Sequence, residues 1–288
     1  MALLTGFKKD SGDCDYTKTY YQLIYQAEIH YLNDEFSEAY NLIKEAEKNC
    51  KLLNQTAIGE PRMMAECCMK LGKKKEAILY LQLYLDYGMK MNYIENNSSF
   101  ETLKKEPQWK DLITYSIKAN NEFEKNVNKE LRAEIIKICN KDQAVRQKPV
   151  NWQIVKRTDS LHEVRIKEIF KEYGFPNPTL IGNHVFEERT EITALLMHFE
   201  DTTYFKPVLK DFIRKGQAPP SLLANMIDSR LRFAGLYSYG AYENVDSTQI
   251  KDFHKIDERR IAIGMSPYKM HKKKMDLLRK KYPILNAN

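Results

Sequence analysis

The residues best placed to do chemistry lie at the end of an apolar run, Leu195-Leu196-Met197-His198-Phe199-Glu200-Asp201. A histidine and a nearby carboxylate can pair and tune each other's protonation, and histidine is the side chain that titrates closest to neutral pH. His198, Glu200 and Asp228 are therefore the candidate catalytic acid–base groups. Asp142, Arg146, Tyr239 and Arg259 are candidates for holding a ligand there. The two arginines could grip a phosphate or carboxylate while His198 moves a proton. Such a centre needs a fold that brings several separate helices together. Otherwise the same residues form a buried polar network, in which each aspartate pins an arginine or caps a helix.

Other chemistry finds little support. There is no Gly-x-x-x-x-Gly-Lys phosphate loop, no Gly-x-Gly-x-x-Gly and no Gly-x-Ser-x-Gly, which sets aside common nucleotide-binding and serine-hydrolase classes. His30, His162, His184, His254 and His271 show no His-x-x-x-His spacing. The five cysteines, Cys14, Cys50, Cys67, Cys68 and Cys139, show no Cys-x-x-Cys spacing. Neither a metal nor another cofactor is expected from these patterns. The odd cysteine count also argues against a disulfide framework and for a reducing compartment.

Composition bounds the partners. With 288 residues, 43% of them hydrophobic and 11% aromatic, the chain can build one large or two ordinary cores. Forty-six Lys and Arg against 39 Asp and Glu leave a net charge of +7, which permits an acidic partner without requiring one. The basic run His271-Lys272-Lys273-Lys274-Met275-Asp276-Leu277-Leu278-Arg279-Lys280-Lys281 could contact phosphates. Its Met275 and Leu278 instead suggest the wet face of an amphipathic terminal helix, and no recognition motif accompanies it, so nucleic acid is not an expected partner. No stretch approaches the roughly 18 apolar residues of a membrane span, and the opening residues lack a signal segment's apolar run of roughly 7–15. A soluble cytoplasmic protein is expected.

The elements that must position these residues read as helices throughout. Ala27, Ala39 and Ala46, then Ala65 and Ala77, form two ladders of small residues with the same first gap. Small residues at those points let paired helices approach closely while Ile24, Leu42, Ile43 and Leu81 fill the groove. Asn33-Asp34 and Gly72 supply the turns, and Pro61 suits a first helical turn. This pattern resembles the tetratricopeptide repeat family over residues 17–90, with a longer connection over 54–60, and Phe100, Leu103 and Trp109 resemble the segment closing such arrays. Two repeats are fewer than the roughly three that stand alone, so this region should lean on another part of the chain. The resemblance implies an adaptor or scaffold that receives a peptide or protein segment, with Tyr21, Tyr25, Tyr31, Tyr80 and Tyr84 lining the receiving face.

Beyond residue 119 the ladder stops. Helices are predicted over 121–147 and 159–174, the second with Asp159 as N-cap and Gly174 as stop, then over 185–201, 201–216, 219–235, 255–264 and 266–282. Residues 236–254, with three tyrosines and little helical period, read as an ordered loop. The series Asp142-Gln143-x-x-Arg146, Gly174-Phe175-Pro176, His198-x-Glu200, Asp228, Tyr239-Gly240 and Asp257-x-x-Arg260 resembles an uncharacterised bacterial domain of unknown function over residues 130–270. That resemblance implies a fold and a pocket without naming a reaction. The expected organisation is all-α, with a repeat lobe over 1–118 and a helical domain over 119–288. An enzyme or small-ligand binder centred on His198 is the alternative to the adaptor.

Overall fold

A computed structural model describes residues 14–184, 188–242 and 245–282. Among them are fifteen α-helical segments and no strand; Tyr237 and Ile250 form an isolated parallel bridge. The chain is all-α. In order the helices are α1 (Tyr16–Thr19), α2 (Tyr21–Leu32), α3 (Phe36–Glu47), α4 (Glu60–Lys70), α5 (Lys74–Asp86), α6 (Asn92–Glu95), α7 (Gln108–Asn126) and α8 (Lys129–Ala144). Then follow α9 (Trp152–Tyr173), α10 (Pro178–Ile181), α11 (Thr193–His198), α12 (Thr202–Arg214), α13 (Pro220–Leu231), α14 (Ile256–Ile261) and α15 (Tyr268–Lys281). No described helix is long and apolar enough to cross a membrane.

The described residues of 14–121, 214–216 and 260–282 cluster into one compact unit. Those of 122–213 and 217–259 form a second. The C-terminal helix α15 clusters with the repeats rather than with the helices that precede it.

In the repeat unit, α2 pairs with α3 and α4 with α5. All five ladder alanines are fully buried, as are Ile43 and Leu81. Small residues at the helix crossings leave no room for water, so the hairpins close on carbon. Tyrosine hydroxyls then tie each layer to the next at about one repeat's spacing. Tyr31 donates to Glu66 Oε2 at 2.5 Å, Tyr40 to Glu76 Oε2 at 2.9 Å and Tyr80 to Glu47 Oε2 at 2.6 Å. The longer connection is closed from inside, because buried Glu60 accepts from the backbone N–H groups of Gln55 at 2.8 Å and Thr56 at 3.0 Å. Gly59 precedes α4 at φ 82°, where a Cβ would sit 2.7 Å from Asn54 Oδ1. Phe100, Leu103 and Trp109 are buried beyond the second hairpin. The outside support expected for two repeats comes from α15, which packs on α2.

Cys14 and Cys50 form a disulfide with their Cα atoms 5.4 Å apart, against the expectation of none. The sequence signal was the absence of a cysteine pattern, yet the pairing needs only that α1 bring Cys14 beside the end of the first hairpin. Cys67, Cys68 and Cys139 are buried free thiols.

In the second unit, local caps override two helix expectations. The single helix expected over 121–147 is split, because Asn128 accepts from Leu131 N–H at 3.0 Å and starts α8. The next helix starts earlier than expected, at Trp152, where Asn151 accepts from Gln153 and Ile154. Asp159 therefore lies inside α9 and has a different use. Gly174 ends α9 as expected, at φ 80°. The expected helix over 185–201 is reduced to α11, and its first three residues lie outside the described part of the chain.

Candidate functional site

The polar cluster of the second unit is built where α8, α9 and α11 meet. Asp142, on the last turn of α8, is 1% exposed. Arg146 Nη1 donates to Asp142 Oδ1 at 2.8 Å, and its Nη2 donates to Asp159 Oδ1 at 2.7 Å. His198 Nδ1 lies 3.1 Å from Asp142 Oδ1, and Gln143 Nε2 donates to Oδ2 at 2.8 Å. With an ionised carboxylate as its partner, Nδ1 is the donor of this hydrogen bond. Burial alone would push the Asp142 carboxyl up, but the hydrogen bond and charge of His198 and the Arg146 guanidinium outweigh it and hold it below the usual range. His162 lies one turn after Asp159 on α9, and its buried Nδ1 has no hydrogen-bond partner. Burial lowers the His162 pKa against the pull of Asp142 and Asp159.

The structure thus brings together Asp142, Arg146 and His198, but not the neighbours expected to pair with the histidine. Glu200 is exposed, and its backbone N–H donates to Glu163 Oε2 at 2.6 Å. Asp201 pairs with Lys167 at 2.8 Å and caps α12 by accepting from Tyr204 N–H at 3.0 Å. His198 closes α11, and the break that follows turns the Asp201 carboxylate toward Lys167 of α9 and the start of α12. Its true partner is 56 residues away in sequence.

Asp228 and Arg259 shape the tyrosine-rich loop. The fully buried carboxylate of Asp228 accepts from the backbone N–H groups of Ser238 at 2.7 Å, Tyr239 at 3.0 Å and Ala241 at 2.9 Å. Arg259 Nε donates to the carbonyl of Ser238 at 3.0 Å, and its Nη2 donates to the carbonyl of Lys251. The two side chains hold one loop residue from opposite sides, through its N–H and its C=O. Tyr239 is buried, and burial pushes its phenol up.

Ligand atoms of Asp142, Asp159 and His198 lie within 4.8 Å of one another, a donor set that could surround a cation. The Arg146 guanidinium already spans both carboxylates, so the negative charge a cation would need is paired. Beside the cluster lies a cavity of about 250 Å³ lined by Cys139, Asp142, Gln143, His184, Arg189 and Glu191. Burial pushes the Cys139 thiol up to about 12, which leaves little thiolate for a nucleophilic role.

In the repeat unit, Tyr21, Tyr31, Tyr80 and Tyr84 are buried, and Tyr25 is partly covered. Their hydroxyls and rings hold the layers together more than they line an open face. Lys44 Nζ donates to Tyr80 Oη at 3.0 Å, and Tyr21 donates to Gln55 Oε1 at 3.3 Å. One open feature is a polar groove of about 520 Å³ that sequence reasoning did not single out. Its lining includes Tyr31, Asp34, Arg62, Glu66 and Lys70, then Asn92, Tyr93, Asn96 and Asn97 in and after α6, and Lys281 and Tyr282 at the end of α15. Tyr93 is 53% exposed. Asn97 Nδ2 donates to Glu66 Oε1 at 2.8 Å, which fixes the groove's floor. The three asparagines near α6 were the available signal, since they serve no repeat position.

Residues 14–83 match the family model for anaphase-promoting complex, cyclosome, subunit 3. The N-terminal region is tetratricopeptide-like, by this match and by its buried alanine ladders. No curated protein and no solved structure matches the chain.

Proposed function

We propose that the chain is a protein-interaction protein, an adaptor or scaffold that takes a peptide or protein segment into the groove flanked by α4 and α6. The observation that carries this reading is the groove itself, set on repeats of a class that joins proteins. Its amides can satisfy the N–H and C=O groups of an extended backbone, Tyr93 offers contact area, and Arg62 and Lys70 suit an acidic side chain. Tyr31 takes part through its place in the groove wall. A displayed peptide library panned on the full chain tests this directly. Enriched peptides should lose about ten-fold in affinity on Tyr93→Ala or Asn96→Ala. Enriched peptides that bind these variants as well as the wild type would remove the groove from the account.

A second reading rests on the Asp142–His198 pair. A buried carboxylate that orients an imidazole leaves Nε2 as a base, and Gln143 and Arg189 of the adjoining cavity could hold an anionic ligand. Asp228, Tyr239 and Arg259 would serve this site by fixing the loop, and Glu200 through its backbone. Thermal stability of wild type and His198→Ala across phosphates, carboxylates and metabolites tests it. A ligand shift in the wild type that is lost in the variant supports the pocket, and no shift in either counts against it.

A further inference from the structure

The contact between α2 and α15 repeats itself. Lys274 pairs with Glu28 at 3.0 Å, and its ammonium stands 5.2 Å from the centre of the Tyr25 ring. Lys281 pairs with Asp34 at 2.8 Å and stands 4.8 Å from the Tyr31 ring. Each lysine thus enters a socket made of a tyrosine and the carboxylate three residues after it, Tyr25-x-x-Glu28 and Tyr31-x-x-Asp34. The sockets are six residues apart at the start of the chain, and the lysines are seven apart on α15, two helical turns. Ammonium between a carboxylate and an aromatic face is a recognition geometry, because both partners select positive charge.

The seat is shallow. On α15 only Tyr268 and Leu278 are buried. The start of the helix is anchored separately: Gln22 Nε2 donates to the carbonyl of Met265 at 2.9 Å, and buried Arg260 donates to that of Ser266 at 2.7 Å. Gly264, at φ 83°, precedes this anchor. Of these two ion pairs along α15, Lys281–Asp34 is partly exposed and weak, whereas Lys274–Glu28 is largely buried. Glu28 is 1% exposed, and when α15 leaves it regains water.

We infer that the α2 face is a receptor for an amphipathic helix with two lysines one heptad apart, that α15 occupies it in cis, and that a partner helix of the same chemistry exchanges with α15. This rests on the reading of the repeat unit as a binding module; the first socket lies outside the groove, and the second, Tyr31 and Asp34, is shared with the groove wall.

The probe is a labelled peptide of residues 267–282, followed by fluorescence anisotropy with the full chain. Lys274→Ala/Lys281→Ala in the protein weakens the cis occupant, and binding of the peptide should tighten by about ten-fold or more, since one of the two pairs removed is partly exposed and the other largely buried. Adding Glu28→Gln should abolish that gain, and a peptide lacking both lysines should not bind. Unchanged affinity in the double variant, or a gain that survives Glu28→Gln, overturns the proposal. Hydrogen exchange on the unaltered chain covers the case in which a variant misfolds. Saturating peptide should speed exchange of amides 268–281, and no acceleration would refute displacement. Tyr93→Ala should leave helix binding within about two-fold, so a failure of the groove and a failure of the sockets are told apart.

Discussion

The two units use their buried charge differently. In the repeat unit, carboxylates are distributed along the helices, and three of them meet a tyrosine hydroxyl about one repeat away: Glu66 meets Tyr31, Glu76 meets Tyr40 and Glu47 meets Tyr80. In the second unit, charge is gathered: Asp142, Arg146, Asp159 and His198 share one cluster, and Asp228 with Arg259 organises a loop. A distributed arrangement tolerates the loss of one bond and leaves faces open to partners. A gathered one concentrates both stability and any chemistry in a few side chains.

The largest effect should therefore come from the second unit. Asp228→Ala strips three backbone N–H groups of their acceptor, at a cost of about 4 kcal/mol in chemical denaturation. A loss below about 1 kcal/mol would show that the loop does not depend on that carboxylate. In the repeat unit, Ala65→Leu forces extra volume into a fully buried crossing and should cost about 3 kcal/mol, read in the same way. Tolerance of leucine there would break the close-approach account of the ladder.

Acid sharpens the comparison next. His271 of α15 is pushed down to about 4, first by burial and then by Arg260, Lys274, Lys272 and Arg279. Its folded pKa is below its unfolded value of about 6.5, so the unfolded chain takes up the proton first. The stability it contributes is complete above pH 6.5 and is lost as pH falls toward 4, by about 2 kcal/mol. Glu28 faces α15 from α2, and burial raises its carboxyl despite Lys274, so its contribution has the opposite sign. His271→Asn should flatten the melting temperature between pH 6.5 and 4.5 relative to wild type; parallel curves would contradict this. The smallest effect belongs to the distributed bonds. Tyr80→Phe should cost about 1 kcal/mol, and a cost like that of Asp228→Ala would erase the distinction between the units.

Legibility followed the same division. Burial was readable where it repeats: Ala27, Ala39, Ala46, Ala65 and Ala77 mark the crossings by type and spacing, and the turn at Asn33-Asp34 and the stop at Gly72 fell where those residues allow. Pairing was not readable, because it is decided by which helices cross. His198 has two carboxylates beside it in sequence and bonds to neither. Asp159 had the residue type of a helix cap and serves inside α9 as an arginine's partner. The lysines of α15 read as a solvated face, and two of them are seated on α2, which no local pattern in the last 20 residues could disclose. Asn128 and Asn151 were local signals, passed over in favour of apolar periodicity that ran through the first and began after the second.

The central claim is that the repeat unit receives a partner in the groove. Amide hydrogen exchange of the full chain, with and without a peptide selected from a displayed library, tests it most directly. New protection should fall on residues 31–36, 62–70 and 92–99, around the groove. Protection confined to residues 139–146 and 189–198, around the Asp142–His198 cluster, would contradict the claim and move the function to the second unit.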